Sequence, residues 1–275
     1  MDREEIRPAA LAGSFYPGAK LVLERDLSLL LENSPMIDNK TPIRGMIVPH
    51  AGYMYSGGVA ARAYRQIIPQ KIDVVVLVAP SHHEFFDFIS VFPGRAFETP
   101  LGYLYVDQNL ADALTAMHPD IRLSYKGYSP DEHSLEVQLP LLKWVQDSVK
   151  ILPVMMANQG HEMIEILSSA LPKLLVDKNF LIIASSDLSH FHPDSQARSM
   201  DQVVINHINN FEADELFNDI LAKRCEMCGY GPAISTMKAV KGLGVQEARV
   251  LLYRNSGDIT GDRESVVGYL SAVFY

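Results

Sequence analysis

Four short runs of apolar residues, at 45–48, 74–78, 151–155 and 180–183, mark the first two thirds of the chain. β-branched side chains are frequent in them and polar residues do not alternate, which is the pattern of strands buried on both faces. Pro153 lies inside the third run and cannot donate to a ladder, which argues against a central position for that strand. Between the runs, leucines and alanines recur at helical spacing over 21–31, 58–68, 110–117, 162–175 and 200–208. The clearest helix start is Ser129-Pro130-Asp131-Glu132, with a capping serine, proline at the first helical position and a glutamate to close the capping box. A helix begun there carries Leu135, Leu139 and Leu142 on one stripe and is bent at Pro140. Later the texture changes: helices are predicted over 213–223 and 232–240, and strands over 248–253 and 265–275 that fit as antiparallel additions to the sheet. No linker, repeat or low-complexity tract divides the chain. The expectation is a single α/β domain over 1–275, built on a mixed, largely parallel central sheet flanked by helices.

Composition narrows the partners. The 275 residues are 48% hydrophobic and 21% charged, ordinary for a folded chain, and the formal charge of −9 argues against nucleic acid as a partner. No apolar stretch reaches the roughly 18 residues of a membrane span, and the first twelve residues lack a signal-peptide core. A cytoplasmic protein is expected. Two cysteines, Cys225 and Cys228, are too few for a disulfide framework.

In an open α/β sheet, ligands bind beyond the carboxyl ends of the strands. Here the segments after three strands are Pro49-His50-Ala51-Gly52-Tyr53, Pro80-Ser81-His82-His83 and Ser185-Ser186-Asp187-Leu188-Ser189-His190. Each histidine alone is more often structural than ligating, but three such strand ends among nine histidines point to a shared site. Cys225-Glu226-Met227-Cys228 lacks the second cysteine pair of a structural zinc site, and it follows a helical stretch where a redox dithiol would precede one. One inert thiol and one reactive or ligating thiol is the remaining reading. His133 and Glu136 can share a face near the predicted helix start, where the helix terminus disfavours a protonated His133. Asp187 and His190 suit either support of a metal or an acid–base pair. The loop 52–58 offers amides for an anion and tyrosines Tyr53 and Tyr55 to line an opening, yet it matches neither the dinucleotide fingerprint nor the P-loop.

These segments resemble the MEMO proteins of bacteria, archaea and eukaryotes. The matching stretches are Pro49 to Tyr53, Pro80 to His83, Asp131-Glu132-His133-Ser134-Leu135-Glu136, Ser185-Ser186-Asp187 with His190, and Cys228-Gly229. Ala12-Gly13-Ser14-Phe15-Tyr16 and Gly268-Tyr269 fit as well, so the likeness runs along essentially the whole chain. It implies an architecture similar to class III extradiol ring-cleaving dioxygenases, which hold Fe(II) with two histidines and a glutamate. His50 and His82 then take the histidine positions and Cys228 that of the carboxylate. His190 takes the place of an acid–base histidine, Asp187 borders the site, and His133 and Glu136 approach the cavity. A thiolate in place of an oxygen donor favours copper, zinc or electronically altered iron, and adds a ligand that can itself be oxidised. The resemblance further implies redox or peptide-binding roles and, for microbial members, association with a radical SAM protein.

Three functions are consistent with these residues. The first is a metal-dependent oxidoreductase, or a component of a redox system. It would bind one iron or copper ion through His50, His82 and Cys228, with His190, Asp187 and His133 serving a small-molecule or peptide substrate. The second is a zinc hydrolase using the same ligands. The third is a metal-binding or interaction module without catalysis.

Overall fold

The computed structural model describes residues 3–39 and 41–275. Its strands are β1 (Ile6–Arg7), β2 (Gly45–Val48), β3 (Val74–Pro80), β4 (Ile89–Val91), β5 (Ala96–Thr99), β6 (Gly102–Tyr105), β7 (Ile121–Leu123), β8 (Lys150–Met156), β9 (Phe180–Ser185), β10 (His190–His192), β11 (Ala248–Asn255) and β12 (Val266–Phe274). The main helices are α1 (Lys20–Glu32), α2 (Tyr53–Tyr64), α3 (Gln108–Thr115), α4 (Leu139–Val145), α5 (His161–Leu175), α6 (Asp194–Asn209), α7 (Ala213–Leu221) and α8 (Tyr230–Gly242). The large sheet has the order β10-β12-β2-β9-β3-β8-β4-β7, with β11 also paired to β12. Its centre, β2-β9-β3-β8, is parallel. β11 and β12 join antiparallel, as the late strands were expected to, and the short β10, which had not been expected as a strand, pairs antiparallel with β12.

The uninterrupted apolar character of the central strands follows from cover on both faces. Val75, Leu77 and Ala79 point into one core with Leu23 and Leu27 of α1, Ala60 and Tyr64 of α2, and Leu142 of α4. The alternate residues Val74, Val76 and Val78 point into the other, against Leu167 and Leu171 of α5, Val204 of α6, Leu216 of α7 and Met237 of α8. A period of two therefore exists, but both sets are hydrophobic.

Three local expectations are corrected. β8 is interior despite Pro153, lying between β3 and β4. The Pro153 carbonyl accepts from the Phe92 amide (3.2 Å) and the Tyr128 hydroxyl (2.9 Å), so its edge faces the stretch where β4 has already ended at Val91. No ladder donor is missed there. Residues 129–135 form turns rather than a helix. A 3₁₀ turn covers Glu136–Gln138, and α4 begins at Leu139, placing Pro140 in its first turn, where it breaks nothing. α2 begins at Tyr53, so Gly57 and Gly58 lie inside the helix instead of forming an anion-binding loop. Among the described residues no helix is long and apolar enough to cross a membrane.

At the corner between α6 and α7, His207 faces Glu212 through Nδ1 (3.0 Å) and Asp219 through Nε2 (2.9 Å). Partial burial pulls its pKa down, but the bonds to Asp219 and Glu212 together outweigh that and raise it. A raised folded-state pKa gives stabilisation that is complete below the unfolded value, about 6.5, and is lost as pH rises through the folded one. His207→Gln should therefore lower Tm more at about pH 6 than at about pH 9, as read by circular dichroism melts. An equal or larger loss at the higher pH would contradict this.

Candidate metal centre

Because β2, β9 and β3 are neighbours and parallel, the residues just past their carboxyl ends emerge side by side. His50 follows β2, Asp187 follows β9 and His82 follows β3. The Ser186 amide donates to the Val48 carbonyl (2.9 Å), extending the β2–β9 register into these loops. Cys228 arrives from the other direction, on the segment that leads into α8. The side chain of Gln159 ties that segment down, donating to the Cys228 carbonyl (2.9 Å) and accepting from the Gly231 amide (2.8 Å). Gly229 allows the close approach: a Cβ there would collide with the Ser185 carbonyl oxygen and crowd Ser186.

The three expected ligands converge. One ligand atom from each of His50, His82 and Cys228 lies within 4.8 Å of the others. That is close to the span that metal–ligand bonds of about 2.0–2.3 Å allow around one ion. Cys228 Sγ stands 3.2 Å from His50 Nε2. Tautomers follow from the outer hydrogen bonds. The Ser185 hydroxyl donates to the Ser134 carbonyl (2.6 Å) and receives Gln138 Nε2 (2.9 Å), so it can only accept from His50 Nδ1 (2.9 Å). On His82, Nδ1 meets the carboxylate of Glu132 (3.0 Å), which also receives the His82 amide (2.5 Å) and the Ser134 amide (3.0 Å). Both imidazoles thus carry their proton on Nδ1 and leave the Nε2 lone pair free for a ligand, as metal-binding histidines do. The Asp187 amide donates to Cys228 Sγ (3.2 Å), which supports a thiolate. The residues fit a soft or borderline metal ion.

Electrostatics keep the surrounding groups near neutrality. Burial, then the neighbouring His133, His82 and His190, holds His50 well below the usual histidine range. Burial, aided by His82, lowers His133 to about 4. Burial raises Asp187 to about 7 against the opposing amides of His50 and Ala51. His190 is lowered by burial, which outweighs the opposing influence of the Leu188 backbone and Glu226. Burial and the nearby Asp187 push the Cys228 thiol up, a bias that a bound cation reverses. Glu132 is the contrary case: burial would raise it, but His82 and the Ser134 amide bring it down to about 2.

A cavity of about 380 Å³ opens beside the ligands, lined in part by Phe15, Tyr55, His133, Asp187, His190 and Tyr269. His133 stacks between Phe15 (4.9 Å) and His82 (4.7 Å). Two other expectations fail. Tyr53 is buried, with its hydroxyl on the Val137 carbonyl, and Glu136 is buried against Arg7 and Tyr16 away from the cavity. Cys225 packs in the core and is held up to about 12 by burial. The residue pattern put Glu132 in a helix cap and in a family-matching stretch, and Ser185 at a strand end, without showing that either orients a histidine; Gln138 had no signal.

These features define an α/β protein with a two-histidine, one-cysteine constellation at the ends of parallel strands. The chain belongs to the Memo-like protein family, whose pattern matches residues 7–273. It is 35% identical over 269 residues to a MEMO1 family protein of Nitrosopumilus maritimus, covering 96% of this chain and 98% of that one. A MEMO1 family protein of Aquifex aeolicus is 36% identical over 277 residues, covering 98% and 99%.

Gly229→Ala tests how the thiol is held. The clash should lower stability by roughly 2–4 kcal/mol and release Cys228 toward an ordinary thiol. Denaturant unfolding and alkylation rates at neutral pH read the two effects. Wild-type stability together with wild-type alkylation would contradict the packing described.

Proposed function

We propose that the protein is a metal-dependent oxidoreductase, or the metal-bearing component of a redox system, acting on a small molecule or peptide group that enters the cavity. The observation that carries this reading is the convergence of His50, His82 and Cys228, one ligand atom of each within 4.8 Å of the others, with both imidazoles held at Nδ1 by Ser185 and Glu132. His50, His82 and Cys228 would hold one ion. Bound there, iron or copper would supply electron exchange, which the thiolate would tune. The remaining roles belong to the chain. His190 lines the cavity and is held below the usual histidine range by burial, so its imidazole is suited to take a proton from substrate. Asp187, near neutrality in its pKa, can hold or release a proton at its carboxyl while the His50 amide fixes Oδ1 (2.8 Å). His133 is neutral at physiological pH and offers one N–H to substrate from its stacked position. Phe15 and Tyr269 border the cavity and give it an aromatic wall beside these groups.

A hydrolytic reading with zinc uses the same ligands, and Asp187 supports it because a base near 7 suits water activation. The two readings part on metal content. Protein isolated without oxygen should carry about one equivalent of iron or copper, and His50→Ala, His82→Ala and Cys228→Ser should each lose it. Elemental analysis and electron paramagnetic resonance provide the measurement. Undiminished metal in all three variants would remove the site, whereas zinc alone, with no oxygen uptake in the presence of ascorbate, would transfer the assignment to hydrolysis.

A further inference from the structure

Outside the cavity lies a buried ion pair that the ligand set does not use. Arg7 is 5% exposed and Glu136 1%. The Arg7 guanidinium engages the Glu136 carboxylate through Nη1. Its other nitrogens donate to three carbonyls: Nε to Tyr128 (3.1 Å), and Nη2 to Ser129 (2.9 Å) and Glu132 (2.9 Å). On the far side, Glu136 Oε1 receives the Leu11 amide (2.8 Å) and the Tyr16 hydroxyl (2.7 Å). One ion pair therefore fastens two segments together, the turn at 128–136 and the N-terminal stretch at 11–16.

Both segments end at the site. The first bears Glu132, which orients His82, and His133; the second bears Phe15, which stacks on His133. Residues 129–135 are turns without a helical ladder of their own, so Arg7 supplies fixed partners for carbonyls that a helix would otherwise have satisfied. A planar fork can reach Tyr128, Ser129 and Glu132 at once; a lysine ammonium, a point donor, cannot. Burial makes the geometry strict, because an unpaired partner in this setting is costly and displaces its neighbours.

We propose that Arg7 and Glu136 are positioning residues for the metal centre, setting the pose of Glu132 and through it the tautomer and aim of His82. This rests on the metal reading above for its consequence, but the tautomer itself is a property of the chain. Metal ligands lose about 10–100-fold in affinity when the group that orients them is removed. Arg7→Lys and Glu136→Gln should each weaken Co(II) binding by about that factor and shift the visible ligand-field bands. In a Glu132→Gln background the same substitutions should have almost no further effect, because the route through Glu132 is already gone.

Nitrogen-detected NMR of the metal-free protein gives an independent measure. In the wild type His82 should show the Nδ1–H tautomer, and in Arg7→Lys a mixture of both. Glu136→Gln preserves volume and the acceptor for Leu11 and Tyr16, so it serves if Arg7→Lys does not fold. Wild-type tautomer and wild-type Co(II) affinity in a folded variant would overturn the proposal, as would full additivity with Glu132→Gln. If Co(II) instead binds His50→Ala, His82→Ala and Cys228→Ser as well as wild type, the metal reading fails, while the tautomer measurement still decides the role of Arg7.

Discussion

The Ser185 hydroxyl is saturated: it donates to the Ser134 carbonyl and accepts from Gln138 and His50. A hydroxyl has one donor and two acceptor positions, so nothing remains to be rearranged. That single group, at the end of a central strand, determines which nitrogen of His50 is protonated and therefore which one faces Cys228. It also binds the turn at 134 and the side chain of Gln138 to β9, so the loops that converge here share one fixed reference. Gln138 continues the link by donating to the Pro49 carbonyl (2.8 Å), one residue before His50. The site is held from beneath by strand ends and buried hydrogen bonds, which keep the ligand lone pairs aimed.

Much of this was legible in the amino-acid pattern because burial on both faces writes a strong signal. The runs around Met46, Val76, Leu152 and Ile182 are apolar throughout, and each lies in the predicted strand. Histidines after β2 and β3 and an aspartate after β9 were likewise readable, since ligand-bearing residues collect where parallel strands end. The short strands were not: Ile89–Val91 and Ile121–Leu123 are three residues each, too brief to display a period. Glu132 and Glu136 were misread for a different reason. A serine, a proline and a following glutamate satisfy the local rules of a helix cap, but Glu132 accepts from His82, fifty residues away, and Glu136 from Tyr16 and Leu11. Long-range partners for both carboxylates outweighed the local ones, and the helix gave way to turns.

The same substitution of distant for local partners explains where the charges lie. The carboxylates with firm partners, Glu132 on His82 and Glu136 on Arg7, stand behind the site and shape it. Asp187, which lines the cavity, accepts from the amides of His50 and Ala51, and burial lifts it to about 7. The histidines facing the same space are lowered for the same reason, loss of water around a charge. The interior face of the site thus carries little fixed charge of either sign.

That near-neutral interior bears on what the donor set is for. No lysine or arginine is among the described residues lining the cavity, so nothing cationic there offsets a Cys228 thiolate or an ionised Asp187. An ion seated on His50, His82 and Cys228 would supply that compensation: it would favour the thiolate outright and draw Asp187 toward its ionised form. The exposure gradient agrees with an ion that must also meet substrate. His50 is buried at 1%, whereas Cys228 is intermediate and His82 lies at the open edge. The buried imidazole is fixed by Ser185, and the exposed one needs the more elaborate support of Glu132. An exposed ring that must keep one orientation needs a partner fixed from elsewhere, and in this chain the turn that carries that partner is anchored by Arg7, seventy-five residues earlier in sequence than His82.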